Sequence, residues 1–128
     1  MRAYIDADIL IWHLRGDRRA VDFLCRLRDA AEFDLWTGAL QRAEVVFFMR
    51  PGEEEATENF LSQFKTAPID ADTVDRGGAL YSKWHPSHGI DVNDALLAAT
   101  VMKTGGKIFC LNTRHYPMKN IIVERAWT

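Results

Sequence analysis

Residues 89–102 read GIDVNDALLAATVM, an apolar helical stretch that begins with acids. Asp91 and Asp94 are three positions apart, so both fall in the first turn, where the positive end of the helix dipole favours anions. Three alanines further along allow other backbones to come close. A helix this apolar is normally covered on most sides, so we expect it to carry its acids into the interior, where they need partners or a cation.

The composition is that of one globular domain. The chain has 128 residues, and we predict a single domain over residues 1–128. Apolar residues make up 48% and charged residues 27%, and no apolar run is long enough to cross a bilayer, so we expect a cytoplasmic protein with no membrane contact. The net charge of −2 does not indicate a nucleic-acid-binding protein, so a polyanion would have to bind at a local basic patch or a bound metal.

The two cysteines do not form a redox or metal motif. Cys25 and Cys110 lack a CxxC spacing, and in an intracellular chain two such thiols are usually buried and reduced. We therefore expect free thiols rather than a disulfide.

Short apolar strands alternate with helices along the chain. The first strand ends at Asp6 and runs directly into a helix, for which Asp8 is the predicted N-cap. Such alternation predicts an α/β fold, a parallel sheet with helices on both faces, in which functional groups gather outside the carboxyl ends of the strands. The clearest strands fall at residues 2–6, 33–36, 107–111 and 120–124.

Three acids that are far apart in sequence occupy comparable structural positions. Asp6 ends the first strand, Glu44 lies among apolar residues of an early helix, and Asp94 begins the central helix. Like charges in a dry cleft repel one another unless a divalent cation lies between them, and a carboxylate ligand set selects Mg²⁺ or Mn²⁺. A metal site of this kind suits phosphodiester hydrolysis. The plainer reading of Asp94 is a capping box with Asp91, and Asp8 is equally explained as a cap.

The segment HPSHG, residues 85–89, is predicted to be the loop that leads into the central helix. Its two histidines are near acids in the sequence, a combination that could form a zinc-binding site. The HxxH spacing around a proline is not a common zinc-ligand pattern, so a turn beside the site is the favoured interpretation.

The residues resemble those of the PIN-domain ribonucleases, and most closely those of the VapC-type toxins of toxin-antitoxin pairs. The resemblance extends nearly from end to end. It rests on Tyr4-Ile5-Asp6 with the apolar helix after it and on the sequences at residues 37–44, 88–100 and 111–118.

This resemblance implies a metal-dependent endoribonuclease of three-layer α/β/α architecture with a central parallel sheet. The metal-binding acids of the family correspond to Asp6, Glu44 and Asp94, and its fourth position corresponds to Asn112, which can accept a ligand bond but brings no charge. The implied cofactor is Mg²⁺ or Mn²⁺, and the implied substrate is RNA. The implied partners are a cognate antitoxin protein and a second copy of the chain in a homodimer.

Three positions depart from or add to the family pattern. Asp8 stands where Ser or Asn is common, and it can serve as an outer ligand or as a helix cap. Cys110 stands where Thr or Ser is usual, so a hydroxyl is missing from the rim of the site. Asp91 is an additional acid, again either an outer ligand or a cap.

Two alternatives remain open at this stage. Cys110 and Asn112 are compatible with a non-catalytic PIN-fold module that binds RNA or protein. Asp6-Ala7-Asp8 at a strand end also imitates the acid pair of haloacid-dehalogenase-like phosphatases, although Leu10 stands where that family has a threonine.

The early helices hold more apolar residues than one small sheet can cover, which predicts a dimer face there. The residues concerned are Ile9, Trp12, Leu14, Val21 and Leu24.

Overall fold

The computed structural model describes residues 1–128 and contains a sheet of five strands, all parallel, in the order β3-β2-β1-β4-β5. The strands are β1 (Arg2–Ile5), β2 (Asp34–Gly38), β3 (Lys65–Ala67), β4 (Lys107–Cys110) and β5 (Ile122–Arg125). The helices are α1 (Ala7–Leu14), α2 (Arg18–Asp29), α3 (Ala39–Phe47), α4 (Glu54–Leu61), α5 (Ala71–His88) and α6 (Val92–Thr104), with a short 3₁₀ turn at Thr113–His115.

Alternation along the central strand divides the core into two halves. Ala3 and Ile5 of β1 point into a cluster formed with α1, α2, α3 and α4, whereas Tyr4 between them points into a cluster formed with α6. Successive side chains of a strand face opposite sides of the sheet, so a strand covered on both sides is apolar throughout. The predicted three-layer α/β/α fold is confirmed.

Helix α6 is as deeply buried as its sequence predicts, with six residues between Ala95 and Val101 buried. It packs against α5 at Gly77, where a Cβ atom would lie 2.8 Å from the Leu96 side chain. The glycine, which weakens α5 as an isolated helix, is therefore what allows the two helices to approach this closely.

Two local predictions are wrong. Residues 85–88 are the last turn of α5 rather than a loop, and the helix ends at Gly89, whose φ of 63° is left-handed. Pro86 is tolerated because its fixed φ is helical, and in the last turn its missing N–H removes only one hydrogen bond. The N-cap of α1 is Asp6 rather than Asp8, because the helix begins two residues earlier than its apolar pattern indicates.

The surface is apolar at different places from those predicted. Ile9 and Leu24 are buried in the core, so their assignment to a dimer face is wrong, while Trp12 is 46% exposed. The most exposed large apolar side chains are Phe47 and Phe48 at the end of α3, at 79% and 75%. None of the helices combines the length and the apolar character needed to cross a membrane.

Candidate active site

The predicted acids lie around the carboxyl end of the sheet. Asp6 follows β1 directly, Asp94 lies in the first turn of α6, and Glu44 is in the middle of α3, the helix that follows β2. Asn112 comes two residues after β4, the neighbour of β1 in the sheet. Because parallel strands end at the same edge, the chain brings residues from distant positions to one region.

Asp6 is held by both of its carboxylate oxygens. Its Oδ1 accepts a hydrogen bond of 2.8 Å from the backbone N–H of Ala7, and its Oδ2 accepts one of 2.7 Å from the hydroxyl of Tyr116. Burial, followed by repulsion from Asp8, raises the pKa of Asp6 from 3.8 to about 7, although both hydrogen bonds act in the opposite direction. The carboxyl group is therefore costly to charge in the folded protein.

Asp94 is 7% exposed and forms a capping box with Asp91. Asp91 Oδ1 accepts from the backbone N–H of Asp94 at 2.8 Å, and Asp94 Oδ2 accepts from the backbone N–H of Asp91 at 3.1 Å. The capping interpretation of this pair is thus correct, and it does not remove the electrostatic problem. Burial is the largest cause that raises the pKa of Asp94 to about 7, and the neighbouring Asp91 charge adds to it.

Asn112 reaches the acids through a histidine. Its amide nitrogen lies 3.2 Å from Nε2 of His115, and Nδ1 of the same ring lies 3.3 Å from Oδ2 of Asp94. An amide that donates to Nε2 leaves the ring proton on Nδ1, facing the carboxylate. Asn112 itself is exposed.

Asp8, in the first turn of α1, accepts hydrogen bonds from two backbone N–H groups. Its Oδ1 accepts from the backbone N–H of Ile9 at 2.8 Å, and its Oδ2 accepts from the backbone N–H of Leu111 at 3.3 Å. Burial raises the pKa of Asp8 in spite of these bonds. The carboxylate ties the start of α1 to the end of β4, and its charge also raises the pKa values of Asp6 and Glu44.

Glu44 is half-buried and is engaged by Asn93, whose side-chain amide donates to its Oε1. The backbone carbonyl of Asn93 in turn accepts a bond of 3.2 Å from the buried side chain of Gln41. Burial, followed at a distance by the charges of Asp91 and Asp8, raises the pKa of Glu44.

No three Asp, Glu, His or Cys side chains converge as a preformed set of metal ligands. Asp6 and Asp94 share Tyr116 as a neighbour, while Glu44 is turned to Asn93. The donor chemistry nevertheless fits a hard divalent cation, because the available atoms are carboxylate oxygens, and burial raises the pKa of each of these acids and makes its charge costly without a counterion. The ligand roles of Asp6, Glu44, Asp94 and Asn112 remain predictions.

The sequence interpretation missed three side chains that contact these acids, Asn93, His115 and Tyr116. Asn93 lies inside the helix motif, where it looks like an exposed polar position. His115 and Tyr116 belong to a segment that was matched to a family without a role for either residue. A tyrosine two residues before a buried methionine reads as core, and Tyr116 is indeed 4% exposed.

Cys110 is a fully buried, free thiol. Burial and then the nearby charges of Asp6, Asp8 and Asp94 raise its pKa well above the usual range for a thiol. The side chain is therefore neutral and inert, a small apolar group at the end of β4. Cys25 is also free, as predicted.

A cavity of about 470 Å³ opens on the Glu44 side of the site. Its polar wall includes Glu44, Asp91 and Asn93, and its apolar wall includes Leu14 and Phe48. Of the predicted metal-binding acids, Glu44 lines this cavity, whereas Asp6 and Asp94 do not.

Fold and site together describe an α/β domain that gathers buried and half-buried acids at the carboxyl edge of a parallel sheet. The model of the PIN domain family matches residues 3–120. Ribonuclease VapC19 of Mycobacterium tuberculosis is 34% identical over 115 residues, which is 89% of this chain and 91% of that protein. Ribonuclease VapC10 of the same organism is 31% identical over 115 residues, 89% of this chain and 85% of that protein.

Among solved structures, a toxin-antitoxin complex from Klebsiella pneumoniae superposes with a TM-score of 0.78 at 22% identity, covering 98% of both chains. At that identity the likeness shows only the fold. The protein belongs to the PIN-domain family, with VapC ribonucleases among its relatives. Membership of this family makes the phosphatase alternative wrong.

Proposed function

We propose that this protein is a Mg²⁺- or Mn²⁺-dependent endoribonuclease and acts as the toxin of a toxin-antitoxin pair. The observation that carries the proposal is the meeting of half-buried Asp6 and buried Asp94 on either side of Tyr116 at the carboxyl edge of the sheet, where burial raises the pKa values of both acids. Evolutionary relatives named as ribonucleases support the reaction class. In a folded protein, acids that are this costly to charge are typical of functional sites.

Asp6, Glu44 and Asp94 would hold the ion, with Asn112 as an uncharged fourth ligand. Asp8 and Asp91 would act from outside that set. A divalent ion in this position supplies a water of lowered pKa and stabilises charge on the phosphate.

The chain's own groups orient these acids. The Tyr116 hydroxyl and the Ala7 backbone hold the Asp6 carboxylate, and the capping box holds the Asp94 carboxylate on the N-terminal turn of α6. For Glu44 to join them, its carboxylate has to leave the Asn93 amide or share it.

The partners in this proposal are an antitoxin and a second copy of the chain. The protein itself is proposed to be cytoplasmic, with a single domain over residues 1–128. An antitoxin partner is supported by the toxin-antitoxin complex with the same fold. It is also supported by adjacent Phe47 and Phe48, two exposed aromatic side chains beside the cavity, since patches of this kind mark protein interfaces.

The test is cleavage of RNA by the purified protein in Mg²⁺ or Mn²⁺, with and without EDTA. We expect cleavage that EDTA abolishes and that Asp6→Asn removes. The matched control is Asp70→Asn, because Asp70 bonds Lys103 in the last turn of α6, at the other end of that helix from Asp94. Asp70→Asn should cleave like the wild type. A wild-type protein that binds RNA without cutting it would support the non-catalytic module and overturn the proposal.

A further inference from the structure

The segment that follows β4, residues 112–116, contacts both half-buried Asp6 and buried Asp94. Tyr116 donates to Asp6 at 2.7 Å, and the His115 ring lies 3.3 Å from Asp94. Asn112 supports the histidine from its other ring nitrogen at 3.2 Å. One short segment therefore reaches across to two elements, the start of α1 and the start of α6.

The contact with Asp6 is the more constrained of the two. The Tyr116 ring is part of the buried cluster beneath α6, so its hydroxyl has no freedom to move elsewhere. Asp6 Oδ2 faces this hydroxyl, while Oδ1 faces the backbone N–H of Ala7. Rotation of the carboxylate about its last side-chain bond would break both hydrogen bonds, so the plane of the group is fixed before any ligand arrives.

We propose that Tyr116 is a positioning residue that sets the orientation of the Asp6 carboxylate for a divalent cation. The inference rests on the proposed metal role of Asp6. Each carboxylate oxygen has two lone pairs, so one bond to each oxygen leaves a lone pair on each for a metal. Groups that orient a metal ligand from behind typically contribute about 10- to 100-fold in metal affinity.

A purely structural role for the hydroxyl predicts something different. A buried O–H needs an acceptor, and Asp6 is the nearest one. In a purely structural role, the bond would do no more than satisfy the buried hydroxyl. Loss of the hydroxyl would then lower the melting temperature and leave the affinity of the folded protein for a cation unchanged.

Tyr4 provides a matched control. It is the other fully buried tyrosine of the same cluster, and its hydroxyl contacts Thr104 at 2.7 Å and accepts from Arg2 at 2.9 Å. Thr104 is the last residue of α6, so this hydroxyl lies at the far end of that helix from Asp94. Tyr4→Phe and Tyr116→Phe remove the same atom from the same core.

The experiment is isothermal titration of Mn²⁺ into the wild type, Tyr116→Phe and Tyr4→Phe, with melting curves of each in EDTA. We expect the Kd for Mn²⁺ to rise about tenfold in Tyr116→Phe and to stay within about twofold in Tyr4→Phe, although both variants melt earlier without metal. The EDTA curves show that each variant is folded at the titration temperature.

An unchanged or lower Kd in Tyr116→Phe, with wild-type binding intact, overturns the positioning role and leaves the proposed function standing. A wild type that binds no Mn²⁺ overturns the metal role of Asp6 and the positioning role together.

Discussion

Replacement of Asp6 by Asn should stabilise the metal-free protein at pH 8. Asn is as good an N-cap as Asp, and its Oδ1 can accept from the Ala7 N–H while its amide nitrogen donates to the Tyr116 oxygen. The Tyr116 O–H then loses Asp6 as its acceptor, which offsets part of the gain. The substitution also removes a half-buried charge. Removing it relieves both the burial cost and the repulsion from Asp8 that raise the pKa of Asp6.

The magnitude follows from the pKa of about 7 in the folded protein against 3.8 as the ordinary value. A difference of about three pH units corresponds to about 4 kcal/mol of stability at a pH above both values. Burial of the new amide offsets part of this, so we expect a net gain of about 1–3 kcal/mol. For a domain of this size that gain raises the melting temperature by roughly 3–12 °C.

The stability difference between Asp6→Asn and the wild type should depend on pH. Between about pH 4 and pH 7 folded Asp6 binds a proton that the unfolded chain has released, so the wild type loses stability as pH rises through that window. Asp6→Asn has no carboxyl group at this position and does not lose stability in this way. The advantage of the variant should therefore be largest at pH 8 and should shrink by about 2–3 kcal/mol at pH 5.

The assay is thermal melting of both proteins in EDTA at several pH values, with Asp70→Asn as the control. Lys103 lowers the pKa of Asp70, so that acid stabilises the fold when charged, and its replacement should lower the melting temperature at pH 8. An Asp6→Asn variant that is less stable than the wild type at pH 8, or a difference that ignores pH, would refute the reasoning.

Three further predictions use other observables. Millimolar Mn²⁺ should raise the melting temperature of the wild type, by about 2.7 kcal/mol of added stability at 100 times Kd, and Glu44→Gln should reduce the rise because a ligand charge is lost while the Asn93 contact is kept. Native Cys110 should resist alkylation at pH 8 and react only after unfolding, as mass spectrometry will show. Light scattering at tens of micromolar should give the mass of a dimer, and a monomer would contradict the proposed homodimer.

The architecture could be predicted because it depends on periodicity. Strand β1 alternates between two cores, and α6 is apolar on most sides, so the α/β order and the burial of its acids follow from residue types alone. The acids themselves were identifiable because a charge beside an apolar strand or within an apolar helix is costly to bury.

The end of α5 and the cap of α1 could not be placed from local pattern. Proline and histidine at residues 85–88 resemble a loop, yet the helix continues because a proline near its end costs little. Asp6 and Asp8 are both good caps, so residue types leave the choice between them open, and in the structure Asp6 caps a helix that starts at Ala7 directly after β1.

The partners of the acids depend on long-range contacts. Tyr116 and Asp6 are 110 residues apart, and Asn93 and Glu44 are 49 apart. The sequence spacing of neither pair predicts that its two side chains are in contact. For the same reason, surface apolar residues were misassigned, since Ile9 and Leu24 are covered by elements that come from elsewhere in the chain.

Anomalous diffraction from crystals grown with Mn²⁺ would reveal directly whether Asp6, Glu44 and Asp94 form a divalent-metal site. We expect one or two manganese peaks within bonding distance of carboxylate oxygens of Asp6 and Asp94, with Glu44 turned from Asn93 toward the metal. Crystals that hold millimolar Mn²⁺ at neutral pH but show no peak at these carboxylates would contradict it.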